Sequence, residues 1–469
     1  HEAYHQVFPK AERFTKIHEY PLSGAQPRMT HVYRDGGGNR IIACKGAPEG
    51  LLVQSSLTDA EREHIRKQLN EFAGKGERVL AIGKGIYEKE KLPASQDDFR
   101  FEFYGLVSLA DPIKSNIKEV INGFYASGIK VKMITGDYPE TAVSIAGQAG
   151  IRDASHVVTG NEMNALSAVE LRSRAAEVSV FARVQPEQKL LIIEALKASG
   201  EIVAMTGDGV NDGPALRAAH IGVAMGQRGS EVARKAASLV LIDDDLSGMV
   251  RAVAYGRNIY SNLKKAIQYI ISIHIPLISV VTLPLVLGWK FPGLFLPVHV
   301  IFLELIMGPT CSIVYENEPH DPDLMKKPPR KNSLSLFTWP ELSRSIIQGV
   351  IITCGLMGLL YYLIQTGHDE SSARTMVFTA LVLSNILLTL TGRSPYKTVA
   401  STLRNKNRLV PLVIGITLLI LVTSLVFPPM REIFGFIMPD PFQLLICLGV
   451  ATLSVLWIEG WKLTGLGKA

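Results

Sequence analysis

The sequence predicts an α/β domain built on a parallel sheet. A smaller, partial α+β module precedes it, and an all-α bundle of six transmembrane helices follows. Three observations lead there. From about Ala266 onward, apolar segments of bilayer length recur at 266–288, 295–315, 345–365, 375–391, 409–428 and 441–461. Before that point short apolar runs alternate with amphipathic stretches, which implies crossover connections and helices on both faces of a parallel sheet. Residues 1–95 differ from both, with a glycine-rich hairpin signal, Asp35-Gly36-Gly37-Gly38, between Thr30–Arg34 and Arg40–Lys45. The expected divisions are 1–95, 96–264 and 265–469.

Within the middle division, strands are expected at Phe101–Ala110, Val131–Ile134, Val178–Val184, Ile202–Met205, Ile221–Met225 and Ser238–Ile242. Helices are expected at 114–127, 139–149, 186–199, 211–219 and 229–236. Ligands of such sheets sit beyond the carboxyl ends of the strands. In the membrane division, Lys326, Lys327, Arg330, Lys331 and Arg344 fall in the second connection, and Arg393, Lys397, Arg404, Lys406 and Arg408 in the fourth. The first, third and fifth carry only Lys290, Arg374 and Arg431. The positive-inside rule then makes this an integral, multi-pass membrane protein with its large domains and both ends cytoplasmic.

Composition excludes other classes. Of 469 residues 47% are hydrophobic and 20% charged, which argues against disorder and against a wholly soluble enzyme. A net charge of +6 demands no nucleic-acid partner. Cys44, Cys311, Cys354 and Cys447 lie far apart without a CxxC, against a disulfide framework or structural zinc. His1–Glu19 is polar, so no cleavable signal peptide opens the sequence, and it starts without Met in what reads as mid-domain. The expectation is the C-terminal part of a longer protein.

The strongest chemical signal is Met205-Thr206-Gly207-Asp208-Gly209-Val210-Asn211-Asp212-Gly213-Pro214-Ala215-Leu216. A strand ends, glycines permit a tight loop, and a helix starts near Asn211. Asp208 and Asp212 offer hard oxygens at a strand end, which suits Mg²⁺ bridging to phosphate. An ordinary Asp/Gly turn with a helix cap is the plain alternative. Ile134-Thr135-Gly136-Asp137 repeats the pattern on an inferred neighbouring strand, where a hydroxyl and helix-start amides suit a phosphoryl oxygen. Between them, Arg183-Val184-Gln185-Pro186-Glu187-Gln188-Lys189 puts Pro186 in a first helical turn and Lys189 where it can offset phosphoryl charge.

These motifs, with Lys45-Gly46-Ala47-Pro48-Glu49 and Asp111-Pro112-Ile113-Lys114, resemble the C-terminal portion of a type II, calcium-pump-like P-type cation-transporting ATPase over essentially the whole chain. The 206–212 string also occurs in haloacid-dehalogenase-like phosphatases, and the six apolar segments separate the two. The resemblance implies ATP and Mg²⁺, a partial nucleotide-binding domain at 1–95 and a haloacid-dehalogenase-like phosphorylation domain at 96–264. Lys45 would line the nucleotide pocket, Arg78 would meet phosphates, and Asp137, Arg183 and Asn211 would complete the nucleotide site. Thr135, Gly136 and Lys189 would hold the phosphoryl group, and Asp208 and Asp212 the metal. Asp111 would shape the hinge side of the cleft. Leu22 stands where relatives stack a Phe on adenine, and Lys114 where they commonly have Arg. The phosphorylated Asp-Lys-Thr-Gly-Thr motif and the Thr-Gly-Glu actuator loop are absent, so the chain alone is expected to be inactive and to need the missing N-terminal part.

Ionisable groups inside lipid are functional candidates by default. His274 beside Pro276, and Glu304 ahead of Gly308-Pro309, are candidates for the transported ion, because broken helices commonly make ion sites. Glu459 lies near the cytoplasmic boundary and reads as snorkelling. Ser272, Thr310, Ser384 and Asn385 either add oxygens or bond between helices. One carboxylate is few for a calcium cage of six to eight oxygens, so calcium, a proton and a monovalent cation stay open as cargo. The alternatives to a pump are a membrane-tethered phosphatase, for which the Asp at the strand end is Asp111, a poor nucleophile candidate with Ile113 in place of an Asp or Thr two residues on, and a non-catalytic nucleotide-sensing module.

Overall fold

The computed structural model describes residues 14–23, 27–87, 89, 91–319, 321–330, 336–403 and 407–464. Lys331, Arg404 and Lys406, counted among the loop charges, lie outside the described residues, as does the side chain of Cys311. The chain divides into two compact units, His1–Val250 and Arg251–Ala469.

The first unit opens with an antiparallel meander in sequential order: β1 (Thr15–Ser23), β2 (Arg28–Arg34), β3 (Arg40–Gly46), β4 (Arg78–Ile86) and β5 (Arg100–Leu109). The hairpin read from sequence forms between β2 and β3. The Asp35 carboxylate accepts the Gly37 and Asn39 amides at 2.9 and 2.7 Å, and Gly38 takes φ +87°. Two helices that sequence reading did not place, α1 (Pro48–Gln54) and α2 (Asp59–Gly74), connect β3 to β4. Thr58 and Glu61 close a capping box at the start of α2. Val32, Ile42, Cys44, Leu51, Phe99 and Phe101 bury the inner face of the sheet.

One expected strand forms in the wrong sheet. Residues 101–110 were expected to open the parallel sheet, yet β5 runs antiparallel to β4, so the meander extends past residue 95 to Leu109. The reason is legible in the pattern: Phe101 is buried while Glu102 and Tyr104 face solvent. One-sided alternation marks an antiparallel strand, whereas buried parallel strands read as continuous apolar runs.

The remainder of the unit alternates strand and helix: α3 (Ile117–Ala126), β6 (Met133–Ile134), α4 (Pro139–Ala149), β7 (Val157–Thr159), α5 (Gly160–Ala165), α6 (Ala168–Glu177), β8 (Val180–Ala182), α7 (Pro186–Ala198), β9 (Ala204–Gly207), α8 (Gly213–Ala218), β10 (Ile221–Met225), α9 (Glu231–Ala236) and β11 (Leu239–Leu241). All pairings are parallel, in two three-stranded sheets ordered β6-β8-β7 and β11-β10-β9. Their shared core joins Val158 and Phe181 of one sheet to Met205 and Ala224 of the other. A second cluster, with Val120, Phe124, Ala142 and Ala146 against Val180 and Ala182, covers the opposite face. Helices therefore flank both faces, as the alternation implied.

Lys132 enters β6 half-buried, its ammonium donating to the Ala176 and Val178 carbonyls at 3.1 and 2.5 Å. Burial, with Lys130 nearby, brings its pKa from 10.5 down to about 8. Between those values the unfolded chain holds a proton that the folded chain has lost, so stability rises with pH across this window. Thermal unfolding of the whole chain in detergent should show wild type gaining on Lys132→Met between about pH 8 and 10.5. A constant difference across that window would contradict it.

The second unit carries six helices long and apolar enough to cross a membrane. α10 (Ser247–Val286) contains the first, and α11 (Pro297–Pro309) continues as a π-turn through Tyr315. α12 (Trp339–Gln365), α13 (Glu370–Gly392), α15 (Leu409–Val426) and α17 (Pro441–Leu463) supply the others; α14 (Val399–Thr402) and α16 (Pro428–Phe434) are short connectors. α13 is central, its buried Ser372, Ala373, Thr375, Thr379, Ala380 and Ser384 letting neighbours approach closely. Gly355 of α12 sits so near Ser454 of α17 that a Cβ would collide with its hydroxyl. Aromatic anchors mark the helix ends: Arg344 lies 4.5 Å over the Trp461 ring, and Trp289 meets Tyr361 at 5.8 Å.

Candidate functional site

The site in the first unit is assembled at strand ends. Pro186 begins α7, as expected, and Lys189 sits one turn in. Its Nζ donates to Asp212 Oδ1 at 2.7 Å, and the two side chains are only 19% and 9% exposed. Asp212 Oδ2 also accepts the Gly209 amide at 3.1 Å, so this carboxylate closes its own loop. Gly207 has no room for a Cβ against the Asp212 side chain, which explains glycine there. Asp208 and Asn211 are exposed, and Ser230 donates its amide to the Asp208 carbonyl at 2.8 Å, leaving the Asp208 side chain directed to solvent.

The second loop is tied to the connection between β8 and α7, the helix that carries Lys189. Val184 donates its amide to the Thr135 carbonyl at 3.1 Å, and Arg183 donates its own to the Asp137 carbonyl at 3.1 Å. Thr135 Oγ1 donates to Asp137 Oδ2 at 3.0 Å and accepts the Asp137 amide at 3.1 Å. Gly136 is exposed at the tip. α4 starts at Pro139 behind Tyr138, which provides no side-chain cap, so the first amides of the helix stay open.

The remaining candidates meet one another rather than open space. Arg183, at a left-handed φ of +52°, places Nη2 at 2.7 and 2.8 Å from the two Glu49 carboxylate oxygens and Nη1 at 3.2 Å from the Gly136 carbonyl. Arg78 lies with Nε 3.6 Å from Asp137 Oδ1. Lys45 projects, exposed, from β3 one strand away from β4. Hydrogen bonds from Thr141 to the Glu77 carbonyl and from Ser144 to the Gly74 carbonyl hold α4 beside the turn that presents Arg78. Glu49 was legible inside its motif but had been assigned no role.

Does the donor set suit Mg²⁺? Among the described residues no group of three or more His, Cys, Asp or Glu is gathered to hold a metal. Asp212 is committed to Lys189 and Gly209, which leaves Asp208 as the available carboxylate. One hard oxygen at a loop tip, facing solvent, fits an ion that keeps most of its waters and binds through one or two carboxylates plus phosphate.

Residues 2–220 match the haloacid dehalogenase-like hydrolase family, and residues 292–464 match the family of the cation transporting ATPase C-terminus. A hydrolase match alone fits a soluble phosphatase. The second match, over the membrane helices of the same chain, decides between them. The chain is similar to the P-type cation-transporting ATPases. It is 34% identical over 453 residues to Calcium-transporting ATPase 1 of Bacillus cereus, covering 90% of this chain and 50% of that protein. It is 31% identical over 448 residues to human Calcium-transporting ATPase type 2C member 1, covering 92% and 47%. With the Bacillus subtilis Calcium-transporting ATPase the figures are 30% over 464 residues, covering 96% and 52%. The chain thus spans about half the length of the relatives it matches.

In the membrane unit, two of the three ion candidates come together. His274 Nε2 lies 3.2 Å from Glu304 Oε1, with side chains 35% and 51% exposed. His274 Nδ1 is 2.9 Å from the Ile270 carbonyl, so Nδ1 carries hydrogen and donates. Nε2 is thus the ring nitrogen turned to the Glu304 carboxylate. Asn385 is elsewhere: it is buried, and its Oδ1 accepts the Tyr269 hydroxyl, the helix-to-helix role open to it from sequence. Ser272 donates to the Gln268 and Ser345 carbonyls, and Glu459 accepts the Val399 amide and the Lys462 ammonium.

Three buried polar groups were missed. His299 is fully buried among Phe295, Phe378, Phe434 and Phe436, accepting the Leu296 amide on Nδ1 and donating from Nε2 to the Phe434 carbonyl at 2.8 Å. Glu318 and Arg393 form a buried ion pair, although Arg393 had been counted as a loop charge. An acid just past the end of an apolar segment, in a connection otherwise read for its cations, was the available signal.

Proposed function

We propose that this chain is the C-terminal part of an ATP-driven cation pump, working through an aspartyl-phosphate on a segment upstream of it. ATP binds between the antiparallel meander and the parallel-sheet domain, with Lys45, Arg78 and Arg183 toward the nucleotide. Thr135 and the amides near Gly136 hold the transferring phosphoryl group, and Lys189 offsets its charge. Asp208 holds Mg²⁺, which supplies charge neutralisation to phosphate oxygens when bound. Asp212 orients Lys189 and fixes the Gly207–Gly209 turn. The observation that carries this reading is the Lys189–Asp212 pair beside a solvent-facing Asp208 at a strand end. The phosphatase alternative loses support, because Asp111 follows an antiparallel strand rather than a parallel one.

For the cargo, the relatives matched are named calcium-transporting ATPases. Glu304 and His274 supply one carboxylate and one imidazole to a cation site, and the charge they share is exchanged during transport. The polar stretch Arg251–Lys265 carries movement toward the membrane helices.

ATP hydrolysis by the upstream-extended protein in vesicles, recorded against calcium, sodium, potassium and pH in turn, tests the reading. Asp208→Ala should reduce it about a hundredfold or more. Micromolar calcium activation, lost in that variant, identifies a calcium pump whose further oxygens come from outside this chain. Dependence on pH or a monovalent ion alone assigns the cargo to Glu304 and His274. Absence of hydrolysis under every ion would overturn the pump and leave the nucleotide-sensing module.

A further inference from the structure

The two arginines proposed to face nucleotide are held by carboxylates, and the two pairs cross. Arg78 belongs to the meander and meets Asp137 of the parallel-sheet domain; Arg183 belongs to the parallel-sheet domain and meets Glu49 of the meander. Each side of the cleft thus offers the other one cation and one anion. The pairs are unequal. Arg78 is 68% exposed at 3.6 Å, a contact that water and salt weaken readily. Arg183 and Glu49 are 26% and 29% exposed at 2.7 Å, a desolvated contact that resists screening better.

Two features mark the second pair as exchangeable rather than a fixed strut. Both Glu49 oxygens address one nitrogen, Nη2, instead of forming the two parallel bonds of a fork-to-fork pair. Arg183 also holds a left-handed backbone that a non-glycine residue adopts at some cost, with its guanidinium 5.7 Å from the Tyr138 ring and bonded to the Gly136 carbonyl. The arginine is therefore set at the tip of the Thr135–Asp137 loop by its own backbone and by Gly136, and Glu49 only occupies it.

Resting on the reading of this cleft as the ATP site, we propose that Glu49 is a resident counter-anion of Arg183: its carboxylate latches the cleft shut without nucleotide and yields the guanidinium to a nucleotide phosphate. A phosphate brings more charge and more acceptor oxygens than a carboxylate, so the exchange runs toward nucleotide. The latch lowers the affinity for ATP by the free energy of the pair it breaks.

The test is ATP binding to the 469-residue chain in detergent, by calorimetry, for wild type, Glu49→Gln and Glu49→Asp. Glu49→Asp pulls the carboxylate back by one methylene and serves if the amide variant fails to fold. Both should bind ATP about fivefold more tightly than wild type at low salt. The ratio should shrink only slightly as potassium chloride is raised, because the pair is partly desolvated and screened less than a surface contact. Unchanged or weaker binding by a folded variant, with wild-type binding intact, overturns the latch and leaves the ATP site standing. A wild-type chain that binds no ATP removes the site itself.

Discussion

Lys189→Met is expected to lose about a hundredfold or more in ATP hydrolysis by the upstream-extended protein and to unfold at a lower temperature than wild type. The two losses have different causes. On the proposed reading, the catalytic loss follows from removing the cation that offsets developing phosphoryl charge. The stability loss follows from Asp212, only 9% exposed, which keeps the Gly209 amide but loses its ammonium. Leaving one partner of such a pair uncompensated costs about 3–5 kcal/mol when fully buried, and Lys189 at 19% exposure reduces this to about 2 kcal/mol. Asp212→Asn keeps a donor and an acceptor in the turn and should recover most of the stability when combined with Lys189→Met, while hydrolysis stays lost. Equal hydrolysis by Lys189→Met and wild type would confine Lys189 to a structural part. Thermal unfolding and steady-state hydrolysis, measured on the same preparations, separate the effects.

The sequence made this site legible because its chemistry is local. Asp208, Asn211 and Asp212 fall within one strand-to-helix turn, and Pro186 fixes the start of α7 so that Lys189 lies one turn in. The membrane spans were legible for an equally simple reason, since twenty apolar residues have few other solutions. What escaped depends on partners distant in sequence. Glu49 and Arg183 are 134 positions apart, and nothing in either motif says that one answers the other. β5 was misplaced because an apolar run was read for its content and not for its alternation. Asn385 was open to two roles, an ion ligand or a helix-to-helix bond, and the partner that makes the second, Tyr269, lies 116 positions away.

The largest stability effect is expected where sequence reading saw only a loop charge. Arg393, at the end of α13, directs Nη2 and Nε at Glu318, with side chains 2% and 4% exposed and Nη2–Oε1 at 2.9 Å. Asn407 donates to the same carboxylate at 3.0 Å and to the Val314 carbonyl, while Asn262 of α10 donates to the Glu318 backbone carbonyl at 3.0 Å. Four segments are therefore joined through one acid: α10, the end of the second span, α13 and the entry to α15. Arg393→Met leaves that acid buried without its cation and should destabilise the detergent-solubilised chain by about 3–5 kcal/mol. Glu318→Gln combined with Arg393→Met removes both charges and should recover a large part of the loss, because most of it is the cost of one stranded ion rather than the worth of the pair. Arg393→Lys keeps the charge without the planar fork and should fall between them. A double variant no more stable than Arg393→Met would show that the guanidinium's packing, and not its charge, holds these helix ends together.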